Sequence, residues 1–376
     1  EDKLSDRLHE ELTKTFIDKR ASVLARGLKQ DMNFDTKVIE DDKVMIDNQF
    51  IGKLKGLKLD LDLKDGTLDT DIKSLKKAAR QNIGPELNKR IDQIIKTGLI
   101  EIKDDFKFYW GNFPIAKLLP GKDYLKPEFS LIIDDIVESS AQKKLKNYIQ
   151  KWINEKINLI LKSLIDLKNL KESNSSIRAL AYQLYENNGV LKREIVSEYL
   201  KKLGQDERKI LRNMGVKFGR YHVFLFKLLK PESVSLRILL WKNFHQKFFN
   251  LMPPTFGLNF LENKKSFNSN FMLLCGFEKF DEFFIRIDIL ERLFVLIINS
   301  NPDTKSEIKL TPEMLNLLGC SKENFLKLIK KMNYKTYKKN NEFFFKYSPF
   351  KKETSFNKKN IVHDTPFEKL KEFNFK

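Results

Sequence analysis

The spacing of apolar residues changes repeatedly along the chain, and these changes constrain the fold more than any other feature. Residues 34–72 and 99–121 place apolar side chains at alternate positions, which predicts antiparallel strands. Residues 71–96 and the chain after Ser139 show helical spacing instead. The sequence therefore predicts an α+β fold that is mainly helical, with a small β-rich module followed by helical and winged-helix-like modules.

Turn signals and changes of pattern divide the 376 residues into five segments. With 41% hydrophobic residues, a chain of this length can bury more than one core. The predicted segments are a helical segment at 1–33, a small α+β module at 34–135, a helical module at 136–255, a winged-helix-like module at 256–350 and a basic tail with a short docking helix at 351–376. The first helical pattern has no start signal, so we expect the natural chain to extend upstream.

Two stretches of the β-rich module resemble each other. The segment DNQFIGKLKG at 47–56 aligns with GNFPIAKLLPG at 111–121 with an offset of 64 residues. Two similar hairpins around a pair of helices would form a small module, and chance similarity over such a short stretch is the alternative. The helix between them contains Gly84-Pro85, which we expect to break it into two pieces.

Residues 310–347 carry clear local signals. Thr311-Pro312 is predicted to start one helix, Gly319 to turn the chain, and Ser321 to cap a second helix. A hairpin is expected around Asn340-Asn341. Helix, tight turn, helix and hairpin form a winged-helix pattern. The segment LGQDERKILRNM at 203–214 repeats part of it and predicts a second, related module.

The charge balance favours a polyanionic partner. The 70 Lys and Arg residues exceed the 51 Asp and Glu residues and leave a formal charge of +19. A strongly basic surface favours nucleic acid ahead of a membrane as the partner. The alternative is that lysines scattered along the chain by an AT-rich genome serve only solubility.

Cysteine usage and hydropathy predict a cytoplasmic protein without a membrane partner. The two cysteines, Cys275 and Cys320, are far apart and form no disulfide framework. No apolar run reaches the roughly 18 residues of a membrane span. The sequence begins without a recognisable signal peptide.

The sequence contains no recognisable catalytic motif. It lacks a G-x-x-x-x-G-K-[ST] phosphate loop and a G-x-S-x-G nucleophile elbow. The four histidines are scattered and have no nearby cysteine, which argues against a zinc site. Asp41-Asp42 and Asp134-Asp135 are interpreted as turn or cap residues rather than paired carboxylates. We therefore predict no catalytic residue, metal or cofactor in this chain.

Basic residues next to turns are the candidate binding residues. Lys192-Arg193 are predicted to begin a helix after a glycine turn, where backbone N–H groups can face phosphates. The stretch GVKFGRYHVFLFK at 215–227 mixes charge with a stackable ring, which suits single strands. The alternative is a solvated basic loop with Tyr221 in the core. The candidate nucleic-acid-binding residues are Lys192, Arg193, Lys217, Arg220, Tyr221, His222, Lys227, Lys327, Lys331 and Lys335.

The run LGQDERKILRNMGVKFGRYHV at 203–223 resembles the C-terminal region of a family of helicases. These are the alphaproteobacterial superfamily 2 ATP-dependent helicases related to the mitochondrial RNA helicase Suv3. Further pieces that are similar to that family occur at 12–24, 48–56, 285–293 and 310–325, and in the terminal TPFEKL at 365–370. The resemblance is thus spread over nearly the whole chain.

In that family the ATPase motor consists of two RecA-like domains that precede this region. The resemblance implies an accessory C-terminal region of a helicase, with residues 1–33 trailing the motor. ATP and Mg are implied only for the missing motor domains, and no catalytic residue carries over. The implied partners are nucleic acid, with RNA ahead of DNA, and motor domains in the same chain or a separate one. The alternative is a motor-less nucleic-acid-binding or protein-interaction adaptor.

Overall fold

The computed structural model describes residues 36–46, 49–61, 69–171, 174–247, 249–263, 267–280, 282–300 and 307–348. The helical segment predicted at 1–33 and the tail predicted at 351–376 lie outside these residues. The fold is α+β with more helix than strand and several small antiparallel sheets, which confirms the predicted class. The chain divides into two compact units, residues 1–291 and 292–376.

Two four-stranded antiparallel sheets open the described part of the first unit. The first sheet contains β1 (Thr36–Ile39), β2 (Lys43–Ile46), β3 (Gln49–Lys55) and β4 (Lys58–Leu61), and the second contains β5 (Ile100–Ile102), β6 (Lys107–Trp110), β7 (Phe113–Asp123) and β8 (Lys126–Leu131). In both, the strands lie in chain order. The register shifts between Val44 and Met45 in one sheet and between Phe108 and Tyr109 in the other. These shifts are 64 residues apart, which is the offset of the sequence similarity.

A single helix, α1 (Asp69–Thr97), connects the two sheets and contains Pro85. The break predicted at Gly84-Pro85 is therefore wrong. Proline removes one backbone hydrogen bond and crowds the preceding turn. The helix continues because buried side chains on either side of Pro85 pack into the same core. These side chains, all fully buried, are Ile83, Leu87, Ile91 and Ile94.

Helices extend this core beyond the two sheets. α2 (Ser139–Ile160) buries Leu145, Ile149 and Ile153 at helical spacing, and α3 (Lys162–Lys168) follows it. One continuous hydrophobic core runs from Val44 on the first sheet to Leu240, and a separate cluster that includes Phe271 and Phe284 follows in the same unit. The sheets and the helical modules of this unit are therefore packed together rather than joined by linkers alone.

Three successive stretches of chain repeat one strand order. The first contains α4 (Ser175–Glu186), β9 (Val190–Lys192), α5 (Ser197–Lys202), α6 (Gln205–Asn213), β10 (Val216–Phe218) and β11 (His222–Leu225). The second contains α7 (Pro231–His245), β12 (Phe260–Glu262), α8 (Ser269–Leu274), β13 (Phe277–Phe280) and β14 (Phe283–Arg286). The third follows α9 (Ile287–Ser300) and contains β15 (Ile308–Lys309), α10 (Pro312–Leu318), α11 (Lys322–Lys331), β16 (Tyr334–Lys339) and β17 (Glu342–Tyr347). In each three-stranded sheet the last strand lies between the first two.

The local signals predicted for the third stretch are confirmed. Pro312 is the first residue of α10, and Gly319 ends that helix in the left-handed conformation, with φ of 67°. The Ser321 hydroxyl accepts a hydrogen bond of 3.2 Å from the backbone N–H of Asn324 at the start of α11. Asn340 and Asn341 form the hairpin turn with φ of 45° and 64°. Each feature follows from residues next to it in sequence, which explains why it was predictable.

Candidate nucleic-acid interface

The predicted binding residues fall into two groups that belong to different units. The first group lies on β9, on β10 and on residues 219–222, which end at the first residue of β11 and which we call the basic loop, and it continues into the turn after β11. It comprises Lys192, Arg193, Lys217, Arg220, Tyr221, His222 and Lys227. The second group lies on α11 and β16 and comprises Lys327, Lys331 and Lys335.

Lys192 and Arg193 do not begin a helix, and that prediction is wrong. Lys192 is the last residue of β9, where it pairs with His222 on β11, and the next helix begins only at Ser197. Gly189 turns the chain with φ of 82°, and Val190 behind it is buried in the sheet. The neighbouring strand therefore takes up the backbone groups that a helix would have used. No helix N-terminus is available here to face a phosphate.

Lys192 and His222 are instead bound to the carboxylate of Glu278 on β13, in the second of the three stretches. The Nζ atom of Lys192 lies 2.6 Å from Oε1 of Glu278, and Nε2 of His222 lies 2.9 Å from its Oε2. Burial alone would lower the pKa of His222, but hydrogen bonding to Glu278 and the charge of Glu291 outweigh it and raise this pKa. Burial alone would raise the pKa of Glu278, whereas its bonds with His222 and Lys192 lower it. The raised pKa of His222 and the lowered pKa of Glu278 both favour the charged form of each side chain.

The backbone of the basic loop surrounds a second carboxylate, that of Glu291 on α9. Its Oε1 accepts hydrogen bonds of 2.8 Å from the N–H groups of both Tyr221 and His222. Its Oε2 accepts from the N–H of Arg220. Three successive N–H groups converging on one anion form a concavity of the kind that binds phosphates elsewhere. Here this chain supplies the anion, so these three N–H groups already have an acceptor.

Gly219 explains why the loop needs a glycine beside the charge. A Cβ atom at this position would lie 2.3 Å from the carboxylate carbon of Glu291 and within 2.6 Å of both its oxygens. Arg193 closes the loop from the other side, since its Nη1 donates a 2.6 Å hydrogen bond to the carbonyl of Gly219. The loop can therefore move away from the carboxylate only by breaking its other contacts.

We expect Gly219→Ala to lower the free energy of unfolding by about 1–3 kcal/mol, because the added methyl group overlaps the Glu291 carboxylate. Denaturant titration followed by circular dichroism measures this change. Gly84→Ala is the matched control, since its Cβ would meet only the Ile136 carbonyl, at an ordinary 3.9 Å. In a helix interior this control should be neutral or slightly stabilising. Equal stability of the two variants would contradict the assigned role of Gly219.

Within the first group, exposure separates contact candidates from residues that hold the loop. His222 is only 2% exposed, and Tyr221 is half-buried. The side chains of Lys217, Arg220 and Lys227 are exposed. A buried side chain with an internal partner contacts a phosphate only after rearrangement, whereas the three exposed residues can do so directly.

The second group lies on a strongly basic module. Residues 307–348 contain nine lysines and four glutamates. Lys309 is ion-paired with Glu342 and Lys339 with Glu307, each at 2.6 Å. The exposed face of α11 presents Lys327, Lys330 and Lys331, and Lys335 is exposed at the start of β16.

Sequence reasoning missed the two carboxylates that organise the basic loop. Glu278 and Glu291 are 56 and 69 residues beyond His222 in the chain. Glu291 falls in the segment IRIDILERL, which was noted only for its family resemblance. No local pattern connects it to the loop.

A cleft of about 460 Å³ lies beside α2 and α3 in the first unit. Its lining includes Lys126, Lys168, Gln150, Asn154 and Asn158. The ammonium of Lys168 is paired with Asp123 and also lies 3.0 Å from the hydroxyl of Tyr185. The cleft is therefore open and partly neutralised, and its residues present no arrangement of acid, base and nucleophile.

No single ligand class is assigned to these surfaces by their composition or by comparison. Among the residues that the structure describes, no group of three His, Cys, Asp or Glu side chains is placed to hold a metal ion. Within the same residues, no helix combines the length and apolar character needed to cross a membrane. No protein family, curated protein or solved structure matches the chain.

Proposed function

We propose that this chain is the C-terminal accessory region of a Suv3-like superfamily 2 RNA or DNA helicase, where it binds nucleic acid and guides a strand. It has no ATPase site of its own in this proposal. ATP and Mg would belong to motor domains on the same polypeptide or a separate one. The observation that carries the proposal is the excess of lysine over glutamate on residues 307–348, in a module with the strand order of a winged helix.

The winged-helix assignment rests on the order of elements in that module. A strand, two helices joined by a glycine turn and a hairpin follow one another, and the last strand lies in the middle of the sheet. The second helix of a helix-turn-helix is the one that meets nucleic acid. In this module that helix is α11, which carries exposed lysines at 327, 330 and 331. The positions of the lysines and the order of the elements therefore both favour α11 as the surface that binds nucleic acid.

The basic loop has a different role in this proposal from the one its sequence first indicated. Lys192, Arg193 and His222 hold the loop through their bonds to Glu278 and to the Gly219 carbonyl. The contact residues of the first group are then the exposed ones, Lys217, Arg220 and Lys227. The loop thus presents charge from a fixed backbone.

We expect the triple variant Lys327→Gln, Lys331→Gln and Lys335→Gln to reduce the salt slope for single strands by up to about 2, since each phosphate contact contributes about 0.7. At 0.1 M salt this corresponds to up to about 100-fold weaker binding. Fluorescence anisotropy with labelled RNA and DNA oligonucleotides over a salt series measures both quantities.

The matched control removes the same charge from α2 by Lys143→Gln, Lys144→Gln and Lys146→Gln. These three lysines are exposed and lie outside the basic module. An equal loss in both triple variants would mean that net charge, rather than this surface, carries the binding. An unchanged slope in the first variant would exclude α11 and β16 as the interface.

A protein-interaction adaptor is the second candidate, and two exposed apolar side chains on α9 favour it. Val295 and Ile298 are 55% and 45% exposed and lie three residues apart on one helix. Apolar residues on one exposed helix face suit a protein partner such as the helicase motor domains. Affinity for separate motor domains without binding to any oligonucleotide would support this candidate over the first.

A further inference from the structure

One face of the last sheet carries two aromatic rings, four lysines and Glu342. Residues directly opposite on neighbouring strands point to the same side of a sheet. Lys309 and Tyr337 are both opposite Phe344, so all three share one face. Phe345, the next residue on β17, points the other way, is fully buried and contacts the Phe325 ring of α11. The face that carries Tyr337 and Phe344 is therefore directed away from α11.

The two rings on this face are arranged in parallel. The centroids of Tyr337 and Phe344 are 6.1 Å apart, and their planes differ by 12°. Both side chains are half-buried rather than packed into the core. The Nζ atom of Lys339 lies 5.4 Å from the centroid of the Tyr337 ring. Parallel rings at a surface, with cations beside them, offer the faces on which nucleobases stack.

The lysines next to the rings are placed where they repel each other. Lys335 on β16 and Lys346 on β17 are directly opposite each other. They form the next pair on this face after Tyr337 and Phe344. Like charges at opposite positions of a sheet are destabilising. Among the described residues, no carboxylate is within ion-pairing distance of either ammonium. Glu307 is paired with Lys339 and acts on Lys346 only at longer range. An anion at these two lysines would relieve the repulsion.

We propose that this outward face, with Tyr337, Phe344, Lys335 and Lys346, is a stacking platform for single-stranded nucleic acid. Bases add to the parallel rings, and a phosphate binds at the opposed lysines. The platform rests on the proposed function. It adds that this face of residues 307–348 is the binding surface and that the nucleic acid binds there as a single strand. A single strand is preferred to a duplex because only unstacked bases can reach a ring.

The test uses the full chain and separates stacking from charge. Its probes are a labelled oligouridine of about 12 nucleotides, an abasic oligomer of the same charge and a duplex of the same length. We expect Tyr337→Leu and Phe344→Leu to weaken oligouridine binding by about 5- to 150-fold each, the range that base stacking on an aromatic side chain supplies. Binding of the abasic oligomer should be unchanged in both.

Matched variants keep the test specific. Tyr337→Phe preserves the ring and should bind oligouridine as the natural chain does. Tyr182→Leu removes a tyrosine that is 63% exposed on α4 and should have no effect. Lys335→Gln with Lys346→Gln should weaken both single-stranded probes and reduce the salt slope by about 1.4. Thermal unfolding by circular dichroism identifies any variant that fails to fold, and the leucine variant at the other ring position then supplies the comparison.

The outcomes distinguish the platform from the proposed function. Unchanged oligouridine binding in the Tyr337→Leu and Phe344→Leu variants, with a salt-dependent affinity in the natural chain, would overturn the platform and leave nucleic-acid binding intact. Equal losses for oligouridine and the abasic oligomer, or tighter binding of the duplex, would also overturn it. No binding of any probe by the natural chain would overturn both.

Discussion

Replacing Glu291 by alanine is expected to lower the free energy of unfolding of the first unit by about 3–5 kcal/mol, because a buried carboxylate with several partners is lost. Three backbone N–H groups would lose their acceptor, and that of His222 is buried. An unsatisfied buried donor costs about 1–3 kcal/mol. The imidazole of His222 would also lose one of the two carboxylates that favour its charged form.

Urea titration of the full chain, monitored by circular dichroism, measures this loss. Glu291→Gln keeps one acceptor oxygen and should fall between the natural chain and the alanine variant. Glu128→Gln on β8 removes an exposed carboxylate and is the control for net charge. A change of less than about 1 kcal/mol in Glu291→Ala would place it among ordinary surface substitutions and contradict the assigned network.

This expectation also separates two explanations for a loss of nucleic-acid binding. A variant of Glu291 that binds weakly and unfolds early has lost the loop geometry rather than a contact. A variant of Lys217 that binds weakly should unfold as the natural chain does, because its side chain is exposed. Binding and stability measured on the same samples therefore assign each residue to support or to contact.

The features that could be predicted from the sequence are those determined by neighbouring residues. The helix start at Pro312, the turn at Gly319, the cap at Ser321 and the asparagine hairpin all follow from local backbone chemistry. The α+β class follows from periodicity, since strands and helices space their apolar residues differently. These predictions do not depend on which distant segment packs against them.

The second of the three stretches, which contains β12, β13 and β14, could not be recognised from the same local signals. Among the residues that the structure describes between its first strand and its hairpin, one short helix, α8, occurs, whereas the other two stretches have two helices there. The helix-turn-helix signature is therefore absent, although the strand order is the same. The order of strands in a sheet is a tertiary property that single-sequence patterns do not reveal.

The role of the basic loop depended on contacts that are distant in sequence. Glycine, arginine and histidine next to a strand are typical of an anion site, and the loop does bind an anion with its backbone. That anion is Glu291, which is 71 residues beyond Arg220. The composition of the loop could not tell an internal carboxylate from an external phosphate. The same limit applied to Pro85, where burial of α1 outweighs a local break signal.

Arg237→Ala should be about as destabilising as the loss of Glu291, by about 3–5 kcal/mol, because Arg237 satisfies two carbonyl groups inside the core. The guanidinium on α7 is fully buried. It donates hydrogen bonds of 2.7 Å to the carbonyls of Asn188 and Leu228. These carbonyls belong to the turn after α4 and to the 3-10 helix Phe226–Leu229. The side chain of Arg237 therefore joins α7 to the turn after α4 and to this 3-10 helix.

The environment of Arg237 makes this role unusual for a charged residue. Burial lowers its pKa to about 10, and no carboxylate among the described residues pairs with it. Its charge is thus compensated only by carbonyl dipoles, so hydrogen-bond geometry rather than ion pairing retains it in the core. Methionine at this position preserves most of the volume but donates no hydrogen bond, whereas lysine preserves the charge and can reach fewer acceptors.

Comparing these variants isolates the contribution of the hydrogen bonds to the free energy of unfolding. In urea titrations Arg237→Met should lose about 2–4 kcal/mol through two carbonyls left without donors, and Arg237→Lys should lose less than the alanine variant. Arg178→Ala, at an exposed position on α4, is the control and should change little. A methionine variant as stable as the natural chain would show that packing alone holds these three segments. A large loss confined to the methionine and alanine variants would mean that a hydrogen-bond donor at this position holds the turn that precedes β9.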